Sequence, residues 1–229
     1  MKTNNILYFV LIIGSFILSQ GCKKDDYRIG GDVHDPNIRM TTYDYLKSNK
    51  YGLFDTLIML VDKAGIKEKI NQQGVTFFAP TDFAIKNYVT SRTLAIQKID
   101  PFKKWTVDSI IKYELPRFAD SLDVYFVKES LPNVNLTMEG KIYKNQKNRE
   151  VVVSYEETRD PNLGYNPNSS IIPRVVYYTY LYQTLSPGFD ITKIAYPVGV
   201  RTLVQTSNAQ TTTGTLHVLN NSHTLFYYR

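Results

Sequence analysis

An α+β domain is the class this sequence predicts, on three observations. Apolar residues recur at helical spacing through much of residues 41–115, strand-forming runs dominate residues 141–228, and the run Val75 to Ala79 passes through Pro80 straight into a helical pattern. Helices first and strands later is the order of segregated layers rather than of alternating βαβ units. The chain has 229 residues, 43% hydrophobic and 21% charged, which is the composition of one ordinary globular domain with a sizeable core. Its single cysteine excludes an internal disulfide framework and a multi-cysteine zinc site. A formal charge of +6 is too mild an excess for a nucleic-acid surface.

The first elements in the chain concern address rather than fold. Lys2 precedes Ile6 to Leu18, a run of mostly apolar residues that is the length of a signal-peptide core and short of the roughly 20 residues a membrane-spanning helix needs. Ser19 and Gly21 then lead to Cys22, which resembles a bacterial lipobox, with Leu18 one place further from the cysteine than is usual. Residues 1–21 therefore read as a removed lipoprotein signal peptide and Cys22 as the site of lipid attachment. Lys24, Asp25 and Asp26 resemble the lysine-plus-acids signal that sends Bacteroidota-type lipoproteins to the outer face of the outer membrane; the alternative is a solvated tether. Residues 22–40 read as the lipidated cysteine and a flexible tether, and 41–229 as one folded domain.

Within that domain, Thr41 or Thr42 can cap a short helix to about Asn49. Leu53, Leu57, Leu60, Val61 and Ala64 mark a second, which Gly65 would stop. Val75 to Ala79 reads as a strand, and Thr81 or Asp82 caps a helix carrying Phe83, Ala84, Ile85 and Val89. Phe77, Phe78, Pro80 and Phe83 are the expected anchor of the core. A further helix is expected from Thr106 to Leu115, ended by Pro116. Strands are expected at 141–144, 150–154, 175–182, 202–206, 215–219 and 225–228. Thr158 to Pro173, rich in Pro, Asn, Gly and Ser, reads as an exposed loop that includes Tyr165.

Two segments support a family resemblance. Thr76-Phe77-Phe78-Ala79-Pro80-Thr81-Asp82-Phe83-Ala84-Ile85 resembles the first signature of fasciclin domains, and Gln205-Thr206-Ser207-Asn208 with Gly214-Thr215-Leu216-His217-Val218-Leu219 is similar to the second. In the second the family's Asn-Gly turn is lengthened here by Ala209 to Thr213. The resemblance spans about residues 41–229 and implies a wedge of two β-sheets packed with several helices. Where the family carries a Tyr-His pair linked to integrin contacts in animal members, this chain has Tyr113-Glu114.

Catalytic signatures are missing from the sequence. It contains no nucleophile elbow, metal-binding His-Glu-x-x-His helix, phosphate loop or dinucleotide fingerprint. Of His34, His217 and His223, His34 falls in the tether and His217 alternates with Leu216 and Val218 in a strand, the place of a hydrogen-bonded structural histidine; a site joining His217, His223 and Glu114 is the sharper alternative. Glu156, Glu157 and Asp160 are poor glycosidase carboxylates, because adjacent strand residues face opposite ways. No catalytic residue, cofactor or metal is expected.

Binding surfaces are more promising. Lys141, Lys144, Lys147 and Arg149 form a basic stretch that can attract an anion, although Asn145 to Asn148 reads as the solvated turn of a hairpin. Tyr178, Tyr180 and Tyr182 share one face of a strand, opposite Tyr177, Thr179 and Leu181. If exposed, that face can stack a glycan or anchor a protein; if buried, it is packing.

The expected function is that of a non-catalytic lipoprotein on the outer membrane, facing the cell exterior and anchored through Cys22. The resemblance implies an accessory role in a complex for nutrient uptake of the TonB-dependent type, with a protein partner and, alternatively, a glycan ligand. Adhesion to other cells or matrix is the alternative, and a degenerate hydrolase the third.

Overall fold

The computed structural model describes residues 35–228. Residues 1–21, Cys22, Lys24, Asp25, Asp26 and His34 lie outside the described residues. Five helical segments are described: α1 (Thr42–Lys47), α2 (Asp55–Lys63), α3 (Lys67–Ile70), α4 (Asp82–Gln97) and α5, a composite over 107–121. Seven strands follow or interleave: β1 (Val75–Ala79), β2 (Phe126–Val127), β3 (Lys141–Lys144), β4 (Glu150–Glu157), β5 (Arg174–Leu181), β6 (Gly199–Gln210) and β7 (Gly214–Leu219). The α+β class is as expected.

The strands form one mixed sheet in the order β2-β1-β7-β6-β5-β4-β3, antiparallel except where β1 runs parallel to β7. Long β6 joins its two halves, pairing with β5 over Gly199 to Leu203 and with β7 over Val204 to Gln210. The ends nearly meet as a barrel: Val127 bridges Asn145, and Gln146 donates its N–H to the Phe126 carbonyl at 3.0 Å. Gly214 is required where β7 meets β1, since a Cβ there would lie 2.3 Å from the Val75 carbonyl oxygen.

Local signals explain most boundaries. The Thr41 side chain accepts the Asp44 N–H and caps α1. Gly65, at φ +66°, turns the chain after α2. The core is aromatic: Phe77 stacks on Phe126 at 4.3 Å, and Phe78 lies between Tyr178 and His217 at 4.5 and 4.9 Å.

Five expectations are corrected. Phe83 is 44% exposed, because α4 buries the face carrying Ala84, Ile85 and Tyr88 and the intervening 100° turn per residue sends Phe83 outward. Pro116 does not end α5: residues Ile110–Glu114 form a π-helical turn, and Pro116 sits in the first turn of Leu115–Ser121, where its missing N–H costs little. Ala209 and Gln210 are not turn residues but pair with Leu216 and Thr215; the extra length is absorbed by irregular pairing between Thr206 and Ala209, with Asn208 at φ +68°. Residues 225–228 are not a strand. Leu225–Tyr227 is a 3-10 turn with Phe226 at φ +60°, held by the Phe226 N–H donated to the Tyr125 hydroxyl at 2.6 Å. Finally, residues 36–38 are not tether, since Gln210 donates its N–H to the Pro36 carbonyl and Ile38 donates to that of Gln210, both at 2.7 Å.

Candidate functional site

The tyrosine face of β5 points into the nearly closed barrel. Tyr178 is fully buried and donates its hydroxyl to the Val124 carbonyl. Tyr180, also buried, stacks on Tyr227 with ring centroids 4.4 Å apart and accepts a hydrogen bond from Arg149 at 2.7 Å. These two side chains are therefore core and are corrected as ligand contacts: alternation puts them on one face of β5, and Phe78, Tyr227 and the Val124 backbone pack over that face. Tyr182 is half-buried at the end of the same row, with its ring edge-on to Tyr180.

The opposite face of β5 carries the accessible chemistry. Tyr177 is half-buried, and the Arg201 guanidinium lies 3.7 Å from its ring centroid while donating to Glu156 at 2.7 Å. Both line a pocket of about 360 Å³ together with Tyr182, Asn220, His223 and Tyr228. The pocket exists because β6 parts from β7 before Val204; beside Val200 to Leu203 the chain after β7 takes the place of a strand, tied by the Asn220 N–H donated to the Leu203 carbonyl at 2.9 Å. Aromatic planes, amide and hydroxyl groups and one guanidinium suit it to a ligand with an apolar ring face and hydrogen-bonding edges.

His217 and His223 are structural. His217 is fully buried; its Nε2 is 2.9 Å from the Leu131 carbonyl, and its Nδ1 accepts the Asn208 N–H at 3.4 Å, an arrangement that only the neutral ring satisfies. Burial pulls its pKa down to about 4. His223 is held by Tyr125, whose hydroxyl lies 2.6 Å from His223 Nε2 and also accepts the Phe226 N–H. Burial lowers its pKa to about 3. Glu114 joins neither: it accepts from Tyr88 at 2.7 Å and Arg92 at 3.0 Å, so the three-residue site is corrected as not assembled.

The basic stretch is the turn of a hairpin, and two of its four cations are paired with acids. Lys144 pairs with Glu150 at 3.0 Å across β3 and β4, Lys147 pairs with Asp120, and Arg149 turns to Tyr180. Residues 158–173 form an exposed excursion closed by the Thr158 N–H donated to the Pro173 carbonyl at 3.0 Å, with Tyr165 half-buried near its tip. Glu156 and Glu157 pair with Arg201 and Arg174 on different sides of β4. Among the described residues no group of three His, Cys, Asp or Glu is placed to hold a metal ion, and no helix is long and apolar enough to cross a membrane.

Of the tyrosines the sequence pattern grouped as Tyr178, Tyr180 and Tyr182, the last lines this pocket, and Tyr177, Arg201 and Tyr228 beside it were not singled out as contacts. A usable signal existed at Arg201, a charge placed between Val200 and Thr202 in a strand, which marks the solvent face of β6 and hence that of Tyr177 beside it.

Residues 52–159 match the family model of the fasciclin domain. Among solved structures, a domain pair from the insect cell adhesion molecule fasciclin I is similar at a TM-score of 0.43 with 12% identity, over 78% of this chain and 47% of that one. The chain thus spans about half the length of that structure. No curated protein matches. The matched segment begins just before α2, includes the strand, the Ala-Pro-Thr-Asp turn and α4, and runs to the end of β4, so it is this part of the chain that is similar to a fasciclin domain.

Proposed function

We propose that this protein is a non-catalytic binding module, anchored by lipid at Cys22 on the outer face of an outer membrane, serving as an accessory to TonB-dependent nutrient uptake. One observation carries the binding reading. His217, His223 and Glu114, the residues of the candidate three-residue site, are buried and hydrogen-bonded within the fold, whereas the pocket at Tyr177 and Arg201 offers recognition chemistry. The lipoprotein-like start of the chain supports the location, and the protein partner or glycan would engage the pocket. Affinity purification from solubilised outer membranes tests this reading. A transporter recovered with the protein supports it, and recovery of the bait alone contradicts it. The anchor is tested by Cys22→Ser, which should release the protein from membranes. Replacement of Lys24, Asp25 and Asp26 with alanine should protect the domain from protease added to intact cells.

Adhesion is the second reading, favoured by the fasciclin match over 52–159. Under it, loss of the protein would weaken attachment to cells or matrix and leave growth on a limiting nutrient unchanged.

A further inference from the structure

The turn after α4 leaves large apolar side chains in water. Ile99 is 89% exposed and Phe102 94%, with Leu94 at 60% on the last turns of the helix. The turn is nonetheless well built. The Ile99 and Asp100 N–H groups donate to the Ile96 carbonyl at 3.0 and 2.9 Å, and the Phe102 N–H donates to the Asp100 carboxylate at 3.1 Å. Where the chain returns, Thr93 clasps the Trp105 backbone in both directions at 2.9 and 3.1 Å, and Arg92 lies over the indole at 4.5 Å. Trp105 is thus folded in while Ile99 and Phe102 are held out.

Charge surrounds this tip. Lys98, Lys103 and Lys104 are exposed on the turn itself, and Lys112 on α5 lies over the ring of Tyr113, which is 64% exposed and beside Trp105. The acids nearby in sequence are Asp100, paired with Lys103 at 3.5 Å, and Asp108. Protruding apolar side chains ringed by lysines, with a tyrosine and a tryptophan behind them, match an anionic bilayer: the apolar tips reach the acyl boundary, the aromatic rings sit at headgroup depth and the ammonium groups meet phosphates.

We propose that residues 98–104 are a membrane-docking tip, inserting Ile99 and Phe102 into the interface of an anionic lipid surface with Lys98, Lys103 and Lys104 on the headgroups. This contact is separate from lipidation at Cys22 and goes beyond the binding role above.

The test uses the full chain with Cys22→Ser, which removes its one cysteine, and Phe102→Cys carrying a nitrobenzoxadiazole probe. The probe reports its own surroundings, so the readout does not depend on how the rest of the chain is held. With vesicles of phosphatidylglycerol and phosphatidylcholine its emission should shift to the blue and intensify. The shift should shrink with added salt or when Lys98, Lys103 and Lys104 are replaced by glutamine, and should be small on phosphatidylcholine alone. A control probe goes at Tyr51→Cys. Tyr51 is 87% exposed and close in sequence to Leu53, whose carbonyl accepts the Asp82 N–H at the other end of the 16-residue α4, about 24 Å away. No shift at position 102, or an equal shift at 51 and 102, overturns the proposal and leaves a protein as the occupant of this tip.

Discussion

The carboxylate of Asp82 accepts the backbone N–H groups of Thr56 and Leu57, at 2.7 and 2.9 Å. Asp82 is the first residue of α4, yet it caps α2, a helix whose N-cap position is Phe54 and whose own sequence supplies no side-chain cap. Its own N–H is donated back to the Leu53 carbonyl at 2.8 Å. The Ala-Pro-Thr-Asp turn thus ties the start of one helix to the start of another. Asp82→Ala should lose about 2 kcal/mol of stability, near the upper end for caps because two donors are left without a partner, and Asp82→Asn less. Denaturant unfolding measures this; a change below about 0.5 kcal/mol would show that water replaces the cap.

Phe78 and Phe83 are five positions apart and differ completely in exposure. Phe78→Ala should cost about 3–5 kcal/mol, since its ring fills the gap between Tyr178 and His217. Phe83→Ala should cost under about 1 kcal/mol at a 44% exposed site. Thermal midpoints that fall equally for both would contradict the packing described.

Those two residues also show what the sequence could and could not reveal. Strand β1, the turn at Pro80, the ends of β3 and the buried place of His217 were legible because each depends on local chemistry: β-branched and aromatic runs, a proline, alternation. Phe83 was not, because only the direction of the core across α4 decides which neighbour is buried. The tyrosine row had the same difficulty. Alternation placed Tyr178 and Tyr180 together correctly, but which face is inside depends on closure of the barrel through Val127 and Asn145, contacts between residues 18 apart that no local pattern announces. The pocket at Tyr177 and Arg201 depends on β6 parting from β7, a feature of the whole sheet.

Acid should weaken the fold through its histidines. His217 and His223 have folded-state pKa values of about 4 and about 3, below the ordinary 6.5, so the unfolded chain binds more protons between those values and 6.5. Their contribution is complete above roughly pH 6.5 and is lost as the pH falls toward about 4 for His217 and about 3 for His223, at about 1.4 kcal/mol per pH unit for each ring. His217→Gln should reduce that slope by one proton whatever its effect at neutral pH. An unchanged slope would show that His217 is protonated in the folded protein.

The excursion at 158–173 is closed at its base by Thr158 and Pro173 and is exposed over most of its length. Deleting residues 160–169 and closing the gap with a Gly-Ser link should therefore leave the thermal midpoint within a few degrees of wild type, as for a change within about 0.5 kcal/mol. If it also weakens recovery of an outer-membrane partner, the loop takes part in binding; full recovery with an intact fold would make it a spacer.

Recognition through the pocket is the central claim, and partner recovery by a folded pocket variant tests it most directly. Arg201→Ala combined with Tyr177→Ala removes the stacked pair while leaving Tyr178, Tyr180 and the histidine anchors in place. Purified from solubilised outer membranes beside wild type, with circular dichroism confirming the fold, the variant should lose the partner that wild type retains. Equal recovery of the same partner by both proteins would contradict the account.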